Sequence, residues 1–185
     1  MEKERLVTFT DAVLAIIMTI LVLELKKPTE PTLAQIWALR ESFLAYALSF
    51  FWLGSTWITL HNTWSKANTI SNSVIGWNII LLFLLSLIPY TTSLVSLYYD
   101  NKVIQGLYGV VVILISVVNI ILNKVLNKAN KGNKDLSKIT KKYMDALVID
   151  VDIKVLGLAI AISVYPQAMM ISVFLAAILM IRKRN

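Results

Sequence analysis

The chain has 185 residues, of which 57% are hydrophobic, and its mean hydropathy is +0.70. Soluble domains are less apolar, so this composition excludes a soluble protein and predicts an integral membrane protein surrounded by lipid. The net charge of +7 would suggest nucleic-acid binding in a soluble protein. Here basic residues flanking membrane helices explain it, so no nucleic-acid partner is expected. The sequence contains no cysteine, which excludes disulfides and thiolate metal sites.

Hydropathy predicts an all-α polytopic membrane protein that forms a single domain over residues 1–185. The six predicted spans lie at residues 5–25, 36–60, 70–97, 103–123, 147–164 and 167–181. The first apolar run has no small-residue cleavage site and is interrupted by Asp11. It is therefore predicted to be a retained span rather than a signal peptide.

The first predicted span carries Arg5, Asp11 and Thr19, which are poorly suited to lipid. An ionised group at membrane depth is costly, so these side chains must face protein or water. At about 100° per residue, small and hydroxyl-bearing residues collect on one side of the helix and bulky apolar residues on the other. The first side, here called the polar stripe, contains Thr8, Ala12, Ala15, Ile16, Thr19 and Leu23, with Asp11 at its edge. The opposite, packing side contains Leu14, Ile17, Met18 and Leu21.

Arg5 and Asp11 are six residues apart, so they do not face each other on one helix. Instead, they are predicted to pair with polar or amphipathic groups of neighbouring spans. The candidates are Trp57, His61, Asn62 and Asn78. A scaffold that holds the first helix in place is favoured over a gating switch, although a histidine can titrate near neutral pH.

A lysine-rich segment at residues 124–142 is predicted to be a solvated cytoplasmic loop, with an anionic-lipid site as the alternative. Its basic residues are Lys124, Lys128, Lys131, Lys134, Lys138, Lys141 and Lys142. Together with the basic tail Arg182–Arg184, this segment predicts that both termini are cytoplasmic for an even number of spans. Lys26 and Lys27 conflict with this orientation.

The fifth predicted span is the least regular, because Asp145, Asp150, Asp152 and Lys154 lie near its start. Only residues 155–165 are continuously apolar, which is short for a full span. An Asp150–Lys154 pair at i, i+4 would lower the cost of burying these charges. Alternatively, the head of the helix projects into the cytoplasm.

Catalytic motifs are absent: the chain has one histidine, no Gly-x-Ser-x-Gly elbow and no glycine-rich phosphate loop, so no enzyme activity, metal or cofactor is expected. A Thr-Val-Gly-Tyr-Gly filter and an arginine-rich helix are also absent. A channel built from this chain would therefore line its narrow part with helix side chains. Copies of the first helix around an axis would form rings of Ile16, Thr19 and Leu23. The alternative is that Ile16 and Leu23 are ordinary buried contacts and Thr19 bonds its own i−4 carbonyl.

The first span also carries a family resemblance. The pattern Arg5-x-x-x-Phe9-Thr10-Asp11, with Ala15-Ile16-x-x-Thr19 and Leu23-Glu24-Leu25 after it, resembles the first-helix signature of the transmembrane protein 175 family. These proteins are potassium channels, with endolysosomal members in animals and shorter relatives in bacteria. Thr10 stands where the family usually has serine.

Two further elements are similar to the same family. Trp57 and His61 resemble a Trp-x-x-His-His element in which Leu60 replaces the first histidine. Asn78 and the later Pro89-Tyr90-Thr91 resemble the third-helix pattern. Beyond residue 91 only hydropathy agrees.

The resemblance implies a potassium-selective channel that conducts passively as a homotetramer around the first helix. It assigns Ile16, Thr19 and Leu23 to the pore, with potassium passing transiently near Thr19. It also implies a polar network behind the pore, which comprises Arg5, Phe9, Thr10, Asp11, Trp57, His61 and Asn78. The composition, rich in Asn and Lys and free of Cys, favours a bacterial plasma membrane.

Two other functions are consistent with the residues. A secondary transporter would use Arg5, Asp11 and His61 as a proton or substrate relay, but inverted repeats and paired broken helices are not evident. A non-conducting membrane scaffold would use every polar group as packing contacts between helices.

Overall fold

Helices account for nearly all of the regular structure in this computed structural model, which describes residues 2–182 and, in its last helix, side chains through Met180. Eight helices connected by short turns form the described part of the chain, which contains no strand. Their bounds are α1 (Lys3–Leu23), α2 (Leu33–Ala38), α3 (Arg40–Lys66), α4 (Asn72–Ser86), α5 (Ile88–Leu97), α6 (Lys102–Ala129), α7 (Lys134–Ser163) and α8 (Ala168–Arg182). The predicted all-α fold class is therefore confirmed.

Short polar residues begin several of these helices. The side chains of Thr32, Ser71, Asn101 and Asn133 accept hydrogen bonds from the first free backbone N–H groups of α2, α4, α6 and α7. Pro89 lies in the first turn of α5, where its missing N–H costs little, and it separates α5 from α4. The predicted third span consequently consists of two helices in series.

Hydrogen bonds between chain segments define two ends of the bundle. At one end, here called the basic end, Lys3 Nζ donates to the Ala67 carbonyl at 2.6 Å and Asn133 Nδ2 donates to the Lys66 carbonyl at 2.8 Å. At the opposite end Lys102 bonds the Ser163 carbonyl. Hence α1, α3, the α4–α5 pair, α6, α7 and α8 run alternately between the two ends, which is compatible with the six predicted spans.

Four helical segments are long and apolar enough to cross a membrane. They are Lys3–Leu23, Arg40–Lys66, Asn72–Leu97 and Lys102–Ala129. The apolar part of α8, Ala168–Met180, is shorter. These helices support the membrane protein class that the composition predicts.

The prediction of a loop at residues 124–142 is wrong. Helix α6 continues to Ala129 and α7 begins at Lys134, so only residues 130–133 connect them, including Gly132 at φ +92°. The lysines are exposed, while Leu126 and Leu136 are buried between the two helices. An apolar face therefore extends the hairpin despite the polar composition. In the predicted basic tail, Lys183 and Arg184 lie outside the described residues, as does the side chain of Arg182.

Glycine allows α7 and α8 to approach closely. A Cβ placed on Gly157 would lie 2.3 Å from both Cβ and Oγ of Ser172 on α8. Gly109 on α6 similarly lies against the side chain of Met169. The C-terminal half of the chain is thus a tightly packed unit of α6, α7 and α8.

Candidate pore helix and its polar contacts

Helix α1 has one covered and one uncovered side, which match the division predicted from its sequence. Leu14, Ile17 and Leu21 on the packing side are buried against the rest of the protomer. On the polar stripe, Ile16 is 58% exposed and Leu23 is 78% exposed. No helix in the described part of the protomer covers this stripe.

Exposure alone does not separate a pore surface from a lipid surface. Large apolar residues elsewhere, such as Phe51 on α3 and Phe83 on α4, are also exposed and suit contact with lipid. The stripe on α1 differs in composition, because exposed Thr8, Ala12 and Thr19 are small or carry hydroxyl groups. Such a surface suits contact with water or another protein chain better than contact with lipid.

Thr19 forms a hydrogen bond within its own helix. Its Oγ1 donates to the Ile16 carbonyl at 2.8 Å, three residues back rather than the four considered from the sequence. The hydroxyl hydrogen is therefore used by the backbone, and the oxygen lone pairs are available to a ligand outside the helix.

Asp11, at the edge of the stripe, is bound by α3. Trp57 Nε1 donates to Asp11 Oδ1 at 2.9 Å, a charge-assisted hydrogen bond when the carboxylate is ionised. One turn further along α3, the His61 ring lies 5.7 Å from the Trp57 ring, centroid to centroid. The structure thus brings together three of the predicted network residues.

Thr10 and Asn78 form a second, separate contact, between α1 and α4. Thr10 is buried, and its hydroxyl donates to the Leu6 carbonyl at 2.8 Å. Asn78, also buried, donates through Nδ2 to Thr10 Oγ1 at 2.8 Å, while its Oδ1 has no partner among the described residues. The hydroxyl that Thr10 shares with serine is the group that makes both bonds.

The remaining predicted network residues are not brought into these contacts. Arg5 is exposed and forms no hydrogen bond or ion pair within residues 2–182, and Phe9 is exposed as well. Asn62 instead donates to the Tyr143 hydroxyl of α7 at 3.4 Å. The predicted network residues therefore hold α1 through two separate contacts rather than through one continuous network.

A buried polar site on α7 was only partly anticipated by the sequence. Lys154 Nζ lies 2.7 Å from Asp150 Oδ2, and their side chains are 0% and 3% exposed. Ser116 of α6 also bonds both groups, and the Lys154 ammonium lies 4.8 Å from the Trp52 ring centroid. The i, i+4 spacing predicts the pair, but its partners come from other helices. The predicted pair is confirmed, and both of its charged groups are buried within the protomer.

The described residues contain no cluster of three or more His, Asp and Glu side chains that is suited to hold a metal ion.

The fold and the site together define a polytopic helical membrane protein. It has apolar helices of membrane-spanning length, polar groups paired across helices and an uncovered stripe on α1.

Comparison with known proteins identifies the family. The family model for the endosomal/lysosomal potassium channel TMEM175 matches residues 5–89, which include α1, α3 and α4. A potassium channel from Chryseobacterium sp. (strain P1-3) is 34% identical over 160 residues, which cover 86% of this chain and 82% of that protein. The chain belongs to the TMEM175 family, a class of channels rather than enzymes, and the predicted resemblance is confirmed.

Two matches come from one genus. A potassium channel from Chamaesiphon minutus (strain ATCC 27169 / PCC 6605) is 28% identical over 156 residues, covering 79% of this chain and 75% of that protein. The crystal structure of a lysosomal potassium-selective channel TMEM175 homolog from Chamaesiphon minutus superimposes with a TM-score of 0.77. That match covers 100% of this chain and 99% of the other at 23% identity, and therefore supports the fold.

Proposed function

We propose that this protein conducts potassium ions passively across the membrane as a homotetramer whose pore is lined by α1 of each copy. The observation that carries the proposal is the uncovered stripe, on which Ile16 and Leu23 are exposed on either side of Thr19. One protomer supplies one such helix, too few to enclose a pore, so several copies must assemble. The relatives described as potassium channels support the choice of ion, and the fourfold assembly follows the family's shorter members.

In this proposal Ile16 and Leu23 form two apolar rings, about 10.5 Å apart at 1.5 Å of helix rise per residue. Rings of this kind close a pore by excluding water. The Thr19 ring between them presents hydroxyl oxygens, because each hydroxyl hydrogen is donated to the Ile16 carbonyl. Potassium gives up its hydration water more readily than sodium, so this ring favours potassium modestly.

The contacts behind the stripe have a supporting role in the proposed channel. Asp11–Trp57 and Thr10–Asn78 fix α1 to α3 and α4 about one and a half turns from Ile16. They leave the stripe itself free. We infer that they position the pore rings, and that Arg5 and Phe9 join this support only in the assembled oligomer.

The proposed orientation of the protein in the membrane rests on the basic end of the bundle. Lys3, Lys66 and the lysines of the α6–α7 hairpin lie at this end, which the distribution of basic residues assigns to the cytoplasm. With α7 and α8 as the fifth and sixth spans, both termini are then cytoplasmic. The expected location is a bacterial plasma membrane, where the exposed lysines contact anionic headgroups.

The test is single-channel recording from purified protein in a planar bilayer under a potassium gradient. Discrete potassium currents are expected, and Ile16→Asn or Leu23→Asn should increase leak current by hydrating an apolar ring. Ile79→Asn is the matched control, because Ile79 is 54% exposed but lies on α4. Unchanged conductance in both ring variants at normal protein levels would show that these residues do not line a pore. Saturable flux without unitary currents would instead support a transporter, and no flux a scaffold.

A further inference from the structure

A small, partly enclosed cavity lies behind α3, away from the α1 stripe. It has a volume of about 20 Å³ and is bounded by α3, α6, α7 and Met180 of α8, with Asp150 of the buried ion pair in its wall. A cavity needs roughly 10–15 Å³ on this measure to hold one water molecule. The space therefore fits a single water molecule.

The walls of the cavity present mainly hydrogen-bond acceptors. Ser55, Thr56 and Thr59 of α3 all line it, and each donates its hydroxyl hydrogen to a carbonyl of its own helix, at 2.7, 3.1 and 2.9 Å. Their oxygens therefore offer only lone pairs to the cavity. The Lys154 and Ser116 donors both reach Asp150 Oδ2, and no donor among the described side chains, which end at Met180, reaches Oδ1. A molecule bound here has to be a donor.

The charges of the Asp150–Lys154 pair restrict which hydrogen-bond donor the cavity can bind. The Lys154 ammonium, 2.7 Å from Asp150 Oδ2, already neutralises the carboxylate. A second cation in the cavity would be repelled by this ammonium at short range in a medium of low dielectric. A neutral molecule with two donor hydrogens meets the requirement without adding charge.

We propose that the cavity binds one water molecule, which donates hydrogen bonds to the Asp150 carboxylate and to a hydroxyl oxygen of α3. Asn119 of α6 also lines the cavity and makes no side-chain hydrogen bond within the described chain, so its amide can donate to the same water. Three hydrogen bonds are typical of a buried water. The molecule hydrates the ion pair inside each protomer and joins α7 to α3.

This water site lies on the same part of α3 that contacts α1. Trp57, which binds Asp11 of α1, follows directly after Thr56 on α3. The same turns of α3 thus contact α1 on one side and the hydrated ion pair on the other. The site is independent of what passes through the proposed pore, because none of its residues lies on the stripe.

The experiment is a diffraction or electron-microscopy structure of the purified oligomer at a resolution that shows ordered water. One density peak is expected within hydrogen-bond distance of Asp150 and of at least one of the three α3 hydroxyls. A second data set from crystals in thallium(I), a scatterer that replaces potassium, is expected to show no anomalous signal at the peak. An anomalous signal would identify a cation, and no peak would indicate a dry cavity. Either result overturns the proposal.

A variant comparison tests the assigned acceptors. Combining Ser55→Ala, Thr56→Val and Thr59→Val removes all three hydroxyl oxygens and should abolish the peak. Thr63→Val is the matched control, since Thr63 also lies on α3 and donates to its own helix at 2.8 Å but does not line the cavity. The Thr63→Val variant should retain the water peak. A peak that persists in the triple variant, or disappears in the control, would contradict the assignment.

Discussion

Helix α1 and the α6–α7 hairpin both carry charged residues within apolar sequence, but these residues differ in burial and in the partners that they find within the protomer. On α7, Asp150 and Lys154 are fully buried and find every charged partner within the protomer. On α1, Asp11 is half-buried with one partner from α3, and the stripe beside it stays uncovered. Polar groups that pair with each other inside one chain stabilise its fold. An uncovered polar stripe instead points to a surface that functions in an assembly.

The largest effect is expected when the buried pair is broken. Lys154→Met should destabilise the protomer by about 3–5 kcal/mol, because it leaves the Asp150 carboxylate buried and unpaired. The measurement is the thermal midpoint of the detergent-solubilised oligomer, followed by size-exclusion chromatography. A loss of folded protein at ordinary temperature is the extreme form of this result.

Removing both charges is the control for this variant. Asp150→Leu combined with Lys154→Met replaces the pair by apolar side chains, a change that is often neutral or stabilising. The double variant should therefore recover most of the lost stability. If it is as unstable as Lys154→Met alone, the cost comes from packing around Trp52 rather than from the unpaired charge.

Close packing of α7 against α8 is the next target. Gly157→Ala would place a Cβ 2.3 Å from Ser172 and should cost about 1–3 kcal/mol through overpacking. Gly54→Ala on α3 is the matched control, because its new Cβ would meet Met18 Cε of α1 at an ordinary 3.7 Å. Thermal midpoints of the two variants compare the packing of α7 against α8 with that of α3 against α1. Equal midpoints would contradict the tighter packing assigned to α7 and α8.

The sequence predicts the exposed stripe of α1 better than it predicts the partners of the buried ion pair on α7. A periodicity of about 100° per residue separates Ile16, Thr19 and Leu23 from the buried side of α1, because that pattern depends only on the helix itself. Ser116 and Trp52 could not be predicted as partners of Lys154, since tertiary packing alone brings them together. A buried charge requires partners, so a hydroxyl in an otherwise apolar helix was the available signal.

Errors in the prediction have similar causes. The polar composition of the lysine-rich segment predicts a loop, although the apolar positions of α6 and α7 keep a helical period around Leu126 and Leu136. The family resemblance predicts one polar network, but Arg5 is exposed on the protomer. Composition does not reveal which side of a helix a charged residue occupies.

A smaller effect is expected for the contact that holds α1. Asp11→Ala removes the hydrogen bond from Trp57 Nε1 and should cost about 1 kcal/mol, because the net value of one partly solvated hydrogen bond is near that figure. In the proposed channel it should also disturb conduction by moving Ile16. Asp11→Asn retains an acceptor oxygen and is expected to preserve both properties better. Full potassium conductance in an intact Asp11→Ala oligomer would exclude a positioning role for this contact.

The smallest effect on stability is expected on the stripe itself, where two threonines of α1 provide a matched pair. Thr19 is exposed and bonds only its own helix, so Thr19→Val should change the free energy of unfolding by less than about 0.5 kcal/mol. Thr10 is buried and accepts from Asn78, so Thr10→Val should cost about 1–3 kcal/mol by leaving that amide unpaired. Conduction should respond in the opposite order, because Thr19→Val removes the hydroxyl ring and should reduce the permeability ratio of potassium to sodium measured from reversal potentials. A stable Thr19→Val oligomer with an unchanged ratio would place selectivity elsewhere, and a strongly destabilised one would make Thr19 a packing residue like Thr10.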